Sequence, residues 1–322
     1  MRRELVASSN KFEPGRPQLT SHPEDQTIGH RVHLVDGTYE LFRHFFAVPS
    51  HRDDEGREVG ALRAVLGSLV GLLEEGATHV GVATDHVIES FRNDLYAGYK
   101  TGDGIDPELR GQFEPLEAAL EAAGFAVWPM VHYEADDALA AAAAAARADS
   151  RVEQILLCTP DKDLAQCVSG RRVVMLDRRK RAVLDEDGVR AKFGVDPGSI
   201  PDYLALVGDS SDGFPGLPGW GPKSVAAVLS RYRRLEDIPA RNWDVRVRGA
   251  DALASVLVAR RAEALLYRTL ATLVADGPEV GSVEDWRWRA PTAAFAGLAS
   301  SLGAAPLAAR LEKLAIARDA RP

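Results

Sequence analysis

The chain has 322 residues, 46 % of them hydrophobic, and a formal net charge of −8, the figures of an ordinary globular protein with one large or two modest domains. No apolar run reaches the length of a membrane-spanning helix, and two cysteines, Cys158 and Cys167, are too few for a disulfide framework. A secretory h-region is absent and the eight histidines form no HExxH-type pair, so a cytoplasmic protein without zinc is expected.

Residues 1 to 29 are polar, carry Pro14, Pro17 and Pro23, show no periodicity and read as a disordered tail. RVHLVDG, from Arg31, alternates and ends in Asp36-Gly37, predicting a first core strand. Leu62, Val65, Leu66, Leu69 and Leu73 follow helical spacing, and HVGVATD is a second strand ending in Asp85. Leu109, Phe113, Leu116 and Leu120 mark another helix before a short strand at FAVW. Tyr133 to Asp149 predicts a helix with an alanine run, Ala140 to Ala146. Alanine is the best helix former and permits close packing, so this helix is expected to be buried.

QILLCT is a further strand that stops just before TPDKD, and Cys158 within it reads as a buried small hydrophobe. VVMLD and AVLDE flank RRKR at 178–181 and predict a hairpin with a solvated tip. Near Phe193 the chain turns helical with Gly and Pro punctuation, so a domain change is placed there. Residues 276 to 322 are Ala-rich and read as a C-terminal helical segment. Strands alternating with helices over 30–192 imply an α/β core around a mostly parallel sheet.

Nine carboxylates fall at the predicted strand ends and in the turns after them: Asp36, Asp85, Glu134, Asp136, Asp137, Asp161, Asp163, Asp209 and Asp212. Any one of them alone is more often a turn or cap residue, since an acid in a helix's first turn gains up to about 1 kcal/mol from the dipole. Glu134 and Asp137 are three apart and share a helix face, whereas Asp136 points elsewhere. Five such clusters at one edge, where open α/β sheets bind ligands, read as a shared site. Clustered carboxylates repel unless cations offset them, and Mg²⁺ suits carboxylate, water and phosphate together. Two ions about 4 Å apart would clamp an in-line phosphoryl displacement without a side-chain nucleophile. The nine acids exceed the whole negative excess, so net charge does not exclude a nucleic-acid partner.

Two further strings suit nucleic acid. In GLPGWGPKSV, Gly216, Gly219 and Gly221 permit tight turns, and Lys223 and Ser224 open a helix whose N–H groups suit a phosphate. FRNDLYAGYK places Arg92, Tyr96, Tyr99 and Lys100 just after Asp85, a pattern for phosphate contact and base stacking, or else a solvated loop with two packed tyrosines. Arg43, in LFRHFF, follows Asp36 by one or two turns and is expected to reach the same site.

Taken in series, LVDG, FRxxxYxGYK, YEADD, TxDKD and GDxSDxxPGxxGxGxK resemble the 5′ nuclease family, which includes flap endonucleases and the 5′–3′ exonuclease domain of bacterial DNA polymerase I. The resemblance covers about residues 31 to 275. It implies a PIN-like α/β core, a helix–three-turn–helix DNA-binding subdomain over 193–275, and hydrolysis of DNA phosphodiesters near 5′ ends or flaps with two Mg²⁺ or Mn²⁺ ions. Asp36, Asp85, Glu134 and Asp136 are similar to the ligands of one ion, and Asp161, Asp163 and Asp212 to those of the other, with Asp137 and Asp209 acting through waters. Arg92 and Lys100 would face the scissile phosphate, and Tyr99 the unpaired nucleotides. Gly219, Gly221, Lys223 and Ser224 would hold duplex backbone, with a K⁺ ion.

Two departures stand out. The family's SDN reads Ser211-Asp212-Gly213, and the arch segment after GYK carries Asp103, Asp106 and Glu108 against Arg110. Weaker electrostatic capture of a flap is expected from the second. No polymerase-like segment follows, and no heptad or exposed apolar stripe is visible, so a stand-alone monomeric nuclease is expected. A non-catalytic DNA-binding module would gain nothing from nine carboxylates facing phosphates, and a small PIN-type ribonuclease would lack both the GWGPK and GYK elements.

Overall fold

The computed structural model describes residues 29–320, so the tail read over residues 1 to 29 lies outside the described residues apart from Gly29. The chain begins with β1 (His30–Asp36), α1 (Gly37–Phe45), α2 (Gly60–Glu74), β2 (His79–Asp85), α3 (Phe91–Leu95), α4 (Pro107–Arg110), α5 (Phe113–Ala122), β3 (Ala126–Met130) and α6 (Ala135–Ala148). It continues with β4 (Val152–Cys158), a 3-10 turn at Lys162–Cys167, β5 (Val173–Asp177), β6 (Ala182–Leu184) and α7 (Glu186–Phe193). Then come α8 (Ile200–Val207), α9 (Pro222–Tyr232), α10 (Ala250–Ala259), α11 (Arg261–Ala271), α12 (Phe295–Ser301) and α13 (Ala305–Asp319).

The sheet runs β3-β2-β1-β4-β5-β6, parallel except for the antiparallel β5–β6 hairpin. Chain order reverses direction at β1, between β2 and β4, which puts a crevice at the carboxyl ends of these strands. Strand alternation divides the apolar residues between two cores. Val32, Leu34, Ile155 and Leu157 face one side, and Val35, Val82, Leu156 and Cys158 the other.

The alanine run lies on α6, packed against the first side, and its small side chains let the helix sit close to β1, β2 and β4. That core continues without a break into α8, α9 and α11 through Leu204, Val225 and Leu270. On the opposite side, α12 and α13 return to cover α2 and α5, with Trp288 Nε1 donating to the carbonyl of Ala123 at 2.8 Å. No helix among the described residues is long and apolar enough to cross a membrane.

Around residues 101–120 the structure departs from the single helix read from Leu109 to Leu120. The helix breaks at Gly111–Gln112, where the Gln112 side chain accepts the Leu62 N–H at 3.0 Å. The preceding segment does not stand clear as an arch: Leu109 is fully buried and Arg52 Nη2 bonds Glu108 Oε1 at 2.6 Å, folding it onto the body.

Candidate metal centre and nucleic-acid interface

The carboxyl ends of β1, β2 and β4 deliver the acids. Asp36 ends β1 and caps α1, its Oδ1 accepting Tyr39 N–H at 2.8 Å and its Oδ2 the Thr159 hydroxyl at 3.0 Å. Asp85 ends β2 and accepts the Ala135 N–H at 2.8 Å, which ties it to the start of α6. Glu134 caps α6, and Asp136 lies in its first turn. Asp161 caps the 3-10 turn after β4 and accepts the Asp163 N–H at 3.0 Å. Asp209 and Asp212 lie in the turn after α8, where Asp209 and Phe214 exchange backbone hydrogen bonds.

Asp163, Asp209 and Asp212 are all buried and each offers a carboxylate oxygen within 4.8 Å of the other two. Asp163 Oδ1 is buried without a hydrogen-bond partner. Burial first, and then the repulsion of Asp161, Asp212 and Asp209, drives the Asp163 carboxyl well above its usual range. Burial likewise raises Asp36 to about 7, with the charges of Asp85 and Asp161 adding to it. Asp136 is pushed well above the carboxylate range by burial, Asp161 and Asp36, and Asp85 and Asp212 are raised chiefly by burial. An orphaned buried oxygen within a mutually repelling oxygen-only set suits a hard divalent cation. The tight triad contains Asp209, which the sequence had placed at one remove, rather than the exposed Asp161.

Lys100 supplies the cation at the mouth. Its ammonium lies 2.9 Å from Glu134 Oε2 and 3.0 Å from Asp212 Oδ1, bridging the two groups of acids while remaining 28 % exposed. Burial would lower its pKa, but Glu134 and Asp212 raise it well above the ordinary value. Glu134 titrates below its usual range although burial opposes this, because Lys100 and Arg92 favour its charge. The loop carrying Lys100 is set by its own side chains. Ser90 caps α3 and donates to Glu134 Oε1 at 2.6 Å, and Asn93 Nδ2 bonds the Lys100 carbonyl at 2.9 Å.

Four sequence expectations require correction. Arg92 does not face the cleft. It is 1 % exposed, and both of its Nη atoms bond Asp137 at 2.7 Å in a bidentate pair. Asp137 is thereby removed from the metal set, since its oxygens are taken by Arg92 and by the N–H groups of Glu134 and Val274. Tyr99 is 3 % exposed with its hydroxyl 3.3 Å from Glu134 Oε2, so it supports a carboxylate and presents no face for base stacking. Arg43 bonds Glu40 at 2.5 Å and lines a groove with Arg178, Arg179 and Arg181 instead of the acidic cleft.

Gly213, where the family pattern has Asn, is at φ +85°, and a Cβ there would lie 2.1 Å from the Gly98 carbonyl oxygen. The bare backbone lets the GYK loop dock on this turn, where the Lys100 N–H donates to the Asp212 carbonyl at 3.0 Å. The missing amide is thus exchanged for a close backbone contact that fixes Lys100 beside Asp212.

At the glycine hairpin, Gly219 has φ +82° and the space around Gly221 is open. Gly221 caps α9 and its N–H donates to Ser224 Oγ in the first turn at 3.0 Å, and Lys223 is exposed. These residues line a cleft of about 620 Å³ together with Arg246 and Arg248. Sequence reading missed both arginines. Their signal was RVRG, two basic residues alternating with apolar ones before a glycine, overshadowed by the denser RRKR.

Two family models match in succession: a 5′-3′ exonuclease N-terminal resolvase-like domain over residues 31–194 and a 5′-3′ exonuclease C-terminal SAM fold over residues 195–294. The 5′-3′ exonuclease of Aquifex aeolicus is 34 % identical over 215 residues, 66 % of this chain and 73 % of that protein. DNA polymerase I of Pseudomonas aeruginosa is 35 % identical over 253 residues, 76 % of this chain. The match spans only 27 % of that polymerase. Among solved structures, T5 5′-exonuclease with bound divalent metal ions (zinc) has a TM-score of 0.62 at 15 % identity, covering 88 % of this chain and 98 % of the other. The catalytic core of Rad2 in complex with DNA substrate has a TM-score of 0.57 at 16 % identity, covering 89 % and 93 %. At those identities the likeness shows the fold.

Proposed function

The chain belongs to the 5′-3′ exonuclease family, and from that premise we propose that it hydrolyses DNA phosphodiesters near 5′ ends or flaps that adjoin duplex. The observation that carries this reading is the buried Asp163–Asp209–Asp212 triad with the unpartnered Asp163 Oδ1. Asp163, Asp209, Asp212 and Asp161 would hold one Mg²⁺, and Asp36, Asp85, Asp136 and Glu134 the other, with Mn²⁺ able to substitute. When bound, the pair supplies an activated water and a stabilised leaving oxygen.

The protein's own groups do the rest. Lys100, held by Glu134, Asp212 and the Asn93 amide, presents its ammonium to the phosphate at the mouth and offsets charge that builds there. Tyr99 and Ser90 orient Glu134. Lys223, Arg246 and Arg248 grip duplex phosphates, and the open Gly219–Gly221 backbone lets a strand, with a K⁺ ion, approach closely. In this division 30–192 cuts, 193–275 holds duplex, and within the C-terminal segment 276–322 the helices α12 and α13 cover the far face of the sheet. We take the protein to act as a cytoplasmic monomer.

A 5′-labelled flap duplex incubated with Mg²⁺ or with chelator tests the reading. Short labelled products only with metal are expected, and their length separates flap incision from stepwise digestion. Binding without cleavage in Mg²⁺ and Mn²⁺ alike would reduce the protein to a DNA-binding module.

A further inference from the structure

Behind the acidic cleft, a clamp of three side chains grips the exit of α11. Over five consecutive residues, each offers one backbone polar group to the nuclease core. Arg92 Nε donates to the Leu270 carbonyl at 2.8 Å and Arg92 Nη2 to the Thr272 carbonyl at 3.0 Å. Gln166 Nε2 donates to the Ala271 carbonyl at 2.9 Å, and its Oε1 accepts the Leu273 N–H at 3.0 Å. Asp137 Oδ1 accepts the Val274 N–H at 2.9 Å.

Each gripping residue is also tied to a cleft element. Asp137 adjoins Asp136 in the first turn of α6. Gln166 bonds the Asp163 carbonyl at 2.9 Å within the 3-10 turn. Arg92 sits on α3, which leads into the Lys100 loop, and lies 3.4 Å from Glu134 Oε1. At its other side α11 packs on α8, which packs on the hairpin helix α9 that bears Lys223. The helical grip and the carboxylates therefore meet at one hydrogen-bonded strip.

We propose that Arg92, Asp137 and Gln166 are positioning residues, which transmit seating of a duplex on the helical subdomain to the carboxylates and Lys100. The inference rests on the nuclease reading above. Two discrete consequences separate it from plain structural support: the clamp matters for substrates that engage both regions, and it matters for rate rather than for duplex affinity.

The experiment compares two 5′-labelled substrates with the same cleaved strand, a flapped duplex and the single strand alone. Cleavage is read in single turnover with Mg²⁺, and duplex affinity is read in chelator. Gln166→Leu removes all three side-chain hydrogen bonds of a partly buried residue, two of them to the exit of α11. It is expected to slow cleavage of the flapped duplex about tenfold, while single-strand cleavage and duplex affinity each change by less than about twofold. Arg92→Lys keeps the charge, loses the bidentate fork and should show the same split. Equal slowing on both substrates, a proportional loss of duplex affinity, or an unchanged duplex rate would each overturn the clamp. Thermal melting identifies folded variants, and Gln166→Leu decides the matter if Arg92→Lys does not fold. A wild-type protein that cuts neither substrate overturns the nuclease reading itself, whereas wild-type cleavage with unsplit variants overturns the clamp alone.

Discussion

Arg92 and Lys100 lie in one basic and aromatic segment, yet they occupy opposite situations. Arg92 is 1 % exposed and locked to Asp137, whereas Lys100 is 28 % exposed between two carboxylates at the cleft. The chemistry of the two cations explains the difference. A planar guanidinium can satisfy several buried acceptors at once, and here it bonds two carboxylate oxygens and two carbonyls. An ammonium is a compact point charge that can exchange partners when a phosphate arrives. One end of the segment holds the fold together, and the other is the end proposed to meet substrate.

The comparison can be broken or sharpened by experiment. Asp163→Asn should lower single-turnover cleavage in Mg²⁺ by about 10³-fold without lowering the melting temperature of the metal-free protein, because it removes a repelling charge. Near wild-type activity would remove Asp163 from the centre. Arg92→Met leaves Asp137 as an unpaired buried charge and should cost about 3 kcal/mol in denaturant unfolding. Lys100→Met is expected to do the reverse: cleavage falls about 10²-fold, while the unfolding midpoint stays near the wild-type value. If the two variants exchanged phenotypes, the division of labour within the segment would be wrong.

The acids also predict how the metal-free protein responds to pH. The carboxyl of Asp36 is raised from 3.8 to about 7, first by burial and then by its acidic neighbours. A raised carboxyl binds its proton more tightly in the folded state, so the stability it lends is complete below about pH 4 and lost as pH rises through about 7. In chelator the melting temperature should be roughly 5 °C lower at pH 8 than at pH 5, and saturating Mg²⁺ should remove most of that difference. A metal-free melting point that rises with pH would contradict the arrangement. The smallest effect is expected at the hairpin. Arg248→Ala should weaken duplex binding a few-fold and reduce the slope of log affinity against log salt by about one; an unchanged slope would remove Arg248 from the interface.

Much of this was legible in the sequence because strand periodicity and strand-end acids are local signals. RVHLVDG and HVGVATD became β1 and β2, with Asp36 and Asp85 at their carboxyl ends. The alanine run lies on a buried helix. What escaped depends on contacts between distant segments. Nothing in FRNDLYAGYK says that Arg92 will meet the Leu270 and Thr272 carbonyls, and nothing near Tyr99 says that it will be buried against Glu134. Gly213 looked like the loss of an amide, whereas the Gly98 carbonyl that explains it comes from a loop more than a hundred residues earlier. The split of the Leu109–Leu120 helix depends on Gln112 bonding Leu62, again a long-range partner.

The acidic centre draws its members from turns spread between Asp36 and Asp212, and the clamp beneath it closes only with Leu270–Val274. Loops of that length are slow to close and form late in folding. During synthesis, β1 and β2 leave the ribosome long before Asp209 and Asp212 exist to complete the triad. A nascent chain therefore lacks the assembled acidic triad until the segment through Asp212 has been made, a delay set by the order of the segments alone.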